Sequence, residues 1–199
     1  VETGNFTETA VQRVSIKDFV NNLQKLAEHD FDNVEIPLAF LRAHPVDPDS
    51  LQPYLFWNQQ HYTRNLIDKT DLYELLAICW EVGMTSSIHN HKDQHCWMAA
   101  PVGRLSVCNY RVLEEDLASH HCDIVPTDVV EITGSSPVAV DPANPVHDVR
   151  NRREFGERAV SLHIYSRPFD SCIVYSVDQH SCGEIGLHYN SMFGRPVRD

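Results

Sequence analysis

Among twelve histidines in 199 residues, one pair is spaced for chemistry. His89 and His91 stand two apart, so on a strand both imidazoles project to one face while Asn90 points away. Two neutral ring nitrogens side by side offer two corners of a metal's coordination shell. About 0.7 such pairs would arise by chance at this histidine content, so the pair needs support from elsewhere in the chain. A second pattern lies at Ser161-Leu-His163-Ile-Tyr165. Alternation puts a hydroxyl, an imidazole and a phenol on one strand face, and Val160, Leu162 and Ile164 on the other. Taken alone, that stripe suits a solvated sheet face as well as a polar site.

Elements able to hold these groups can be read from the same sequence. From about His61 onward, short apolar or alternating runs are bounded by turn residues: Tyr73–Trp80, Cys96–Ala100, Leu105–Val112, Val129–Ile132, Ala159–Tyr165 and Cys172–Val177. Their spacing predicts an antiparallel sandwich or barrel. The first sixty residues read as helical. Ser15 is placed to cap a helix from Ile16 to about Asp30, with Asp18 in its first turn and an apolar stripe of Phe19, Leu23, Leu26 and Ala27. Pro45 and Pro48 punctuate the next stretch, and a shorter helix is expected around Ser50 to Trp57. The expectation is one domain over residues 1–199, mainly β, with a helical annex to about residue 60 and a small barrel from about 61 to 197.

Composition narrows the partners. With 42% hydrophobic and 22% charged residues, the chain can bury one core. No apolar run approaches the ~18 residues of a spanning helix. Twenty-eight acids against sixteen bases give a net charge of -12, which repels phosphate backbones and anionic lipid. Neither nucleic acid nor a membrane is expected as a partner. Six cysteines without any CxxC pair, and no charged–apolar–small leader pattern, read as reduced thiols in a cytoplasmic protein, with Val1 a processed end.

A wider frame lifts the histidine pair above chance. Gly83, five residues, His89, one, His91, four, Cys96, six, Gly103 has the spacing of the first cupin motif, with Cys96 where many cupins place a glutamate ligand. A second cupin-like element runs from Pro142 to Asn151 and adds His147. Asn144 stands where many cupins have glycine, as a residue that tolerates a left-handed turn, and Ser136 replaces an earlier glycine. Three histidines without a carboxylate leave the full charge on a divalent ion and favour an anionic ligand. These residues alone do not separate iron from zinc.

The run SLHIYSRPFDSC from Ser161 to Cys172 resembles the cysteine dioxygenase family. So do YTRNLID at Tyr62–Asp68, CW at Cys79–Trp80, SSIHNH at Ser86–His91 and HC at His95–Cys96. The likeness covers roughly residues 61 to 197. It implies a cupin barrel with Fe(II) held by His89, His91 and His147, with L-cysteine and O2 as reactants and cysteine sulfinate as product. Arg64 matches the arginine that grips the substrate carboxylate, a task suited to a planar, permanently charged fork, and Tyr62 matches a tyrosine that supports it. Tyr165 matches the active-site tyrosine, Cys96 the cysteine that forms a thioether to it in eukaryotic-type members, and His163 and Ser161 a relay holding the phenol. A monomer is the family expectation.

Two departures bear on the substrate. Vertebrate-like members continue Tyr-Ser-Pro-Pro with a cis Ser–Pro bond, whereas Ser166 here precedes Arg167. The segment from Trp97 to Gly103 also differs from the usual run. The competing readings are a dioxygenase for another small carboxylate-bearing thiol (3-mercaptopropionate or a thiol-imidazole acid), a zinc cupin hydrolase or isomerase, and a non-catalytic binding cupin. His95, His120, His121, His180 and His188 read as surface or structural.

Overall fold

Ser15 caps the first helix as its position predicts, its Oγ accepting the Asp18 N–H at 3.1 Å. The structure, a computed structural model, describes residues 12–197. Helix α1 spans Ile16–Leu23 and stops short of Asp30. Lys25 and Leu26 donate to carbonyls three residues back, which tightens the final turn, and Ala27 is already extended. The stripe continues through Leu26 without the helix. Helix α2, Glu35–Ala43, is an element the periodicity does not announce. It has no side-chain cap, and Pro37 sits in its first turn, where a missing N–H breaks no helical bond. The helix expected at Ser50–Trp57 is instead a 3₁₀ helix over Pro48–Tyr54, opened by Asp47 accepting from the Asp49 N–H.

The strands among the described residues are β1 Thr63–Lys69, β2 Glu74–Trp80, β3 Ile88–His89, β4 His95–Val102, β5 Leu105–Asp116 and β6 His121–Ile132. They continue with β7 Val138–Ala139, β8 Val146–Arg150, β9 Ala159–Ser166, β10 Ser171–Ser176, β11 Ser181–Gly186, β12 Ser191–Met192 and β13 Arg195–Pro196. One sheet has the order β13-β12-β1-β2-β9-β4-β7, and six further strands close on themselves as β10-β11-β6-β5-β8-β3. Each of the six predicted runs falls on a strand, with Tyr73 and Val177 one residue outside β2 and β10, and β5 and β6 extend well beyond the apolar stretches that announce them.

Register explains how the seven-stranded sheet carries polar groups inside. In β2, β4 and β9, alternate residues face opposite cores. Leu75, Ala77, Cys79, Trp97, Ala99, Val160, Leu162 and Ile164 pack against the helical annex with Phe19, Leu23, Leu41 and Leu51. Leu76, Ile78, Trp80, Cys96, Met98 and Tyr165 face inward with Leu105, Val107 and Val149. All eight residues of β9 are buried, so the Ser161–His163–Tyr165 face is interior and not solvated. Burying the annex core supplies the main driving force for docking the helices, at about 25 cal/mol per Å² of apolar surface.

The framing glycine Gly103 is required by its surroundings. Its φ is +66°, and a Cβ there would lie 2.7 Å from the Arg158 carbonyl oxygen. Asn144 does not take the left-handed conformation expected of it. Among described non-glycine residues that conformation falls to Lys92, Asp93, His120, His180 and Phe193. Asn144 instead closes a turn by donating to Asp141 through both its backbone N–H and its Nδ2.

Candidate metal centre and its polar surround

Strands β3 and β8 and the loop after β3 bring the predicted histidines together. His147 on β8 pairs directly with His89 on β3, and His91 follows two residues later. One ring nitrogen from each of His89, His91 and His147 lies within 4.8 Å of the others. Neighbouring rings have centroids 4.8 to 5.1 Å apart. His91 and His147 are each 1% exposed, and neither ring has any hydrogen-bond partner. Buried unpaired imidazole nitrogens are costly, at about 1–3 kcal/mol per group, unless something accepts their lone pairs. Burial, reinforced by the neighbouring histidines, holds both well below the usual histidine pKa, so they are neutral and present lone pairs. His89 is fixed by Ser87: Nδ1–H donates to that carbonyl at 2.9 Å, which leaves Nε2 for a ligand. The donor set fits a divalent metal with three neutral nitrogen ligands.

The stripe on β9 forms a directed chain. Trp80 Nε1–H can only donate, and it donates to Ser161 Oγ at 2.9 Å. Ser161 is fully buried, so its own hydrogen has one destination, His163 Nε2 at 2.8 Å. Burial first, and Arg64 next, depress the His163 pKa to about 3, so the ring is neutral with its proton on Nδ1. Nδ1–H then donates to the Tyr165 oxygen at 3.0 Å. Tyr165 keeps its own O–H free to donate elsewhere. Burial, with Cys96 beside it, pushes the Tyr165 pKa well above its usual value and keeps the phenol protonated.

Arg64 extends from β1 into the same interior, its guanidinium 5.9 Å from the centre of the Tyr165 ring. Its Nε and Nη2 are buried without acceptors. Tyr62 stacks on Trp80 at 4.8 Å. A pocket of about 340 Å³, including its open mouth, is bounded by Tyr62, Arg64, His89, His91, Tyr165 and Phe169. Cys96 on β4 and Tyr165 on β9 are directly opposed partners, both buried. The nine residues singled out by sequence thus share one interior, framed by β1, β4 and β9 of the seven-stranded sheet and by β3 and β8 of the closed set. The Ser166–Arg167 peptide that follows is cis, and the Arg167 N–H donates to Gln94. Asn151 ties the two histidine segments together by accepting from the Gly83 N–H and donating to the Met84 carbonyl.

The sequence profile of cysteine dioxygenase type I matches residues 6–178 of this chain. The chain belongs to the cysteine dioxygenase family. It is 29% identical to human cysteine dioxygenase type 1 over 181 residues, which cover 90% of this chain and 88% of the human one. The zebrafish (Danio rerio) protein of the same name is also 29% identical over 181 residues, covering 90% of this chain and 88% of its own. Among solved structures, the cupin domain of Cnp3 from Schizosaccharomyces pombe superposes with a TM-score of 0.43 at 9% identity, over 58% of this chain and 66% of its own. A cupin superfamily protein from Desulfitobacterium hafniense gives 0.41 at 10% identity, over 57% and 84%.

For a cysteine dioxygenase, the sequence reading left several residues of the site without a role. Trp80 supplies the donor that orients the chain on β9. Phe169 packs edge-on against Tyr165 at 5.1 Å. Glu74 shares the inward parity of Leu76, Ile78 and Trp80, and Tyr189 donates to it from beyond the residues that the profile matches. A charged residue on the interior register of an apolar strand was a visible signal for Glu74. Tyr189, in a polar C-terminal stretch, gave none.

Proposed function

We propose that this cysteine dioxygenase oxidises L-cysteine with O2 to cysteine sulfinate at Fe(II) held by His89, His91 and His147. The observation that carries the reading is the closeness of two unmet demands. Three imidazoles await a cation, and the buried Arg64 Nε and Nη2 await an anion across the same small pocket. A small molecule bearing a thiol and a carboxylate meets both. Bound at the histidines, ferrous iron would supply the positions at which thiolate and dioxygen meet, so both oxygen atoms reach sulfur without a separate reductant.

The protein's own groups then have definite tasks. Arg64 grips the carboxylate through its side-on edge and orients the sulfur toward the histidines. Tyr62, stacked on Trp80, walls the pocket beside it. Tyr165 donates its free O–H toward the reacting oxygen or the carboxylate, and Ser161 and His163 hold the phenol in that direction. Cys96 forms a thioether to Tyr165. Joining sulfur to the ring removes one hydrogen from each partner, and O2 accepts the two electrons and two protons. The register pairing of the two residues supports that bond. All six cysteines are buried and unbridged, which supports a reducing, cytoplasmic setting.

Oxygen consumption across a panel of L-cysteine, 3-mercaptopropionate, a thiol-imidazole acid and cysteamine, with metal analysis and mass spectrometry of the products, tests the reading. L-Cysteine should give the highest kcat/KM and a product 32 Da heavier (two oxygen atoms, on the order of 16 Da each). Preference for another acid would reassign the substrate. Zinc at full occupancy without oxygen uptake would overturn the reaction.

A further inference from the structure

Glu74 opens β2 on the inward face and is 0% exposed, yet the proposed chemistry does not use it. Burial pushes the Glu74 pKa up, and Tyr189, Arg64 and Lys69 each pull it back toward the charged form. Tyr189 donates to its Oε2, and Lys69 Nζ stands 3.8 Å from that oxygen while donating to the Tyr189 hydroxyl at 3.2 Å. The second oxygen, Oε1, makes no hydrogen bond and faces Arg64 Nη2 at 3.7 Å. That separation lies beyond a hydrogen bond but within effective Coulomb range in a buried setting. The register partner of Glu74 is Tyr165.

Arg64 is the hinge of this arrangement. Its Nε and Nη2 form the edge of the guanidinium that takes a carboxylate with two parallel bonds, and neither nitrogen has an acceptor. Its main chain is clamped by the C-terminal segment. The Arg64 N–H donates to Asn190 Oδ1, and the Asn190 N–H donates to the Arg64 carbonyl, both at 2.8 Å. The cation therefore stands between an internal anion that it does not grasp and a pocket open to an external one.

We propose that Glu74 is a specificity-determining residue, an internal counter-charge to Arg64 that loosens the site's hold on the substrate carboxylate. The inference rests on the reading of Arg64 as the carboxylate anchor. A carboxylate arriving on the Nε/Nη2 edge shares one guanidinium with Glu74, and the two anions repel through a partly dry interior. Carboxylate-bearing thiols are therefore held loosely, whereas a thiol without a carboxylate does not feel Glu74 at this position. Tyr189 and Lys69 keep the counter-charge in place, which gives the C-terminal segment a part in substrate choice.

The test compares wild-type holoenzyme with Glu74→Gln, which keeps shape and removes charge. KM for both L-cysteine and 3-mercaptopropionate should fall by roughly five- to thirtyfold, with kcat within about threefold and cysteamine kcat/KM within about twofold. Propionate titrated calorimetrically into each metal-loaded protein reads the same difference without turnover and should bind Glu74→Gln at least about fivefold more tightly. Tyr189→Phe, which removes the donor to Oε2 but keeps the acid, should shift both readouts in the same direction by a smaller factor, and decides the matter if Glu74→Gln does not fold. Unchanged or weaker binding of the carboxylates, or an equal shift for cysteamine, would overturn the proposal. A wild-type protein that oxidises no thiol would instead sink the dioxygenase reading and leave the propionate comparison to judge Glu74.

Discussion

Replacing Ser161 by alanine should damage the protein through the two groups it leaves behind. Ser161 Oγ accepts from Trp80 Nε1–H and donates to His163 Nε2, and all three side chains are buried. The variant strands one donor and one acceptor, each on the order of 1–3 kcal/mol, so folding stability should fall by about 2–6 kcal/mol. His163 also loses the partner that fixes its proton on Nδ1, so the hydrogen bond to Tyr165 is no longer enforced and kcat should drop. Trp80→Phe removes the indole donor and leaves the Ser161–His163 bond in place. In the double variant the stranded Trp80 donor no longer exists, so its cost should be about 1–2 kcal/mol less than the sum of the single costs. The lost stacking of Tyr62 on Trp80 and the smaller ring cancel in that comparison. Equilibrium urea unfolding of the four metal-free proteins, with m held constant across the set, measures the coupling. Strict additivity, within about 0.3 kcal/mol, would mean that Ser161 does not bridge the indole and the imidazole, and the proton order assigned along β9 would be wrong.

Arg64→Ala should keep its metal and lose about ten- to a hundredfold in kcat/KM for carboxylate-bearing thiols, with little change for cysteamine; metal analysis beside oxygen-uptake kinetics checks both halves. The Cys96–Tyr165 thioether should lower intact mass by about 2 Da during aerobic turnover and resolve two bands into one on denaturing gels, while His147→Ala should block its formation. Cys96→Ser should fold and bind metal with reduced activity. Stability of the metal-free protein should be full above about pH 6.5 and decline as pH falls toward about 3, because the unfolded chain binds a proton that buried His163 refuses across that window. The urea midpoint should depend less steeply on pH in His163→Gln, and an identical slope would remove His163 from the acid response.

What the sequence disclosed follows from where alternation was clean. From Val160 to Tyr165 on β9 the apolar and polar residues alternate without a break, so both faces were assigned correctly. Which face met solvent was not legible, because the answer, neither, depends on helices lying against the apolar side. β1 was hidden as a strand by polar residues of both parities. Asn65 is fully buried yet satisfied by Thr63 and by Ser191 from the other end of the chain, a long-range pairing that no local pattern announces. The metal-ligand candidates were legible from their spacing, although β3 ends at His89 and His91 stands in the loop after it rather than on the shared strand face that the alternation predicts. Glu74 was not singled out, since its meaning comes from Arg64 and Tyr189, ten residues before and 115 after it. Helix α2 escaped for a simpler reason: a nine-residue helix with a proline in its first turn and no capping side chain carries few local signals.

The burial of β9 on both sides has a bearing on how the chain finds its alignment. A strand with one wet face can slip by a residue and merely exchange core for solvent. Here a slip of one would drive Val160, Leu162 and Ile164 in among the imidazoles, and would press Ser161, His163 and Tyr165 against the aromatic and aliphatic side chains of the annex. Each environment rejects what the other requires, so misalignment is penalised twice. The polar interior that serves the chemistry is also what proofreads the sheet, and the helices, remote from any reacting atom, act as the second reader.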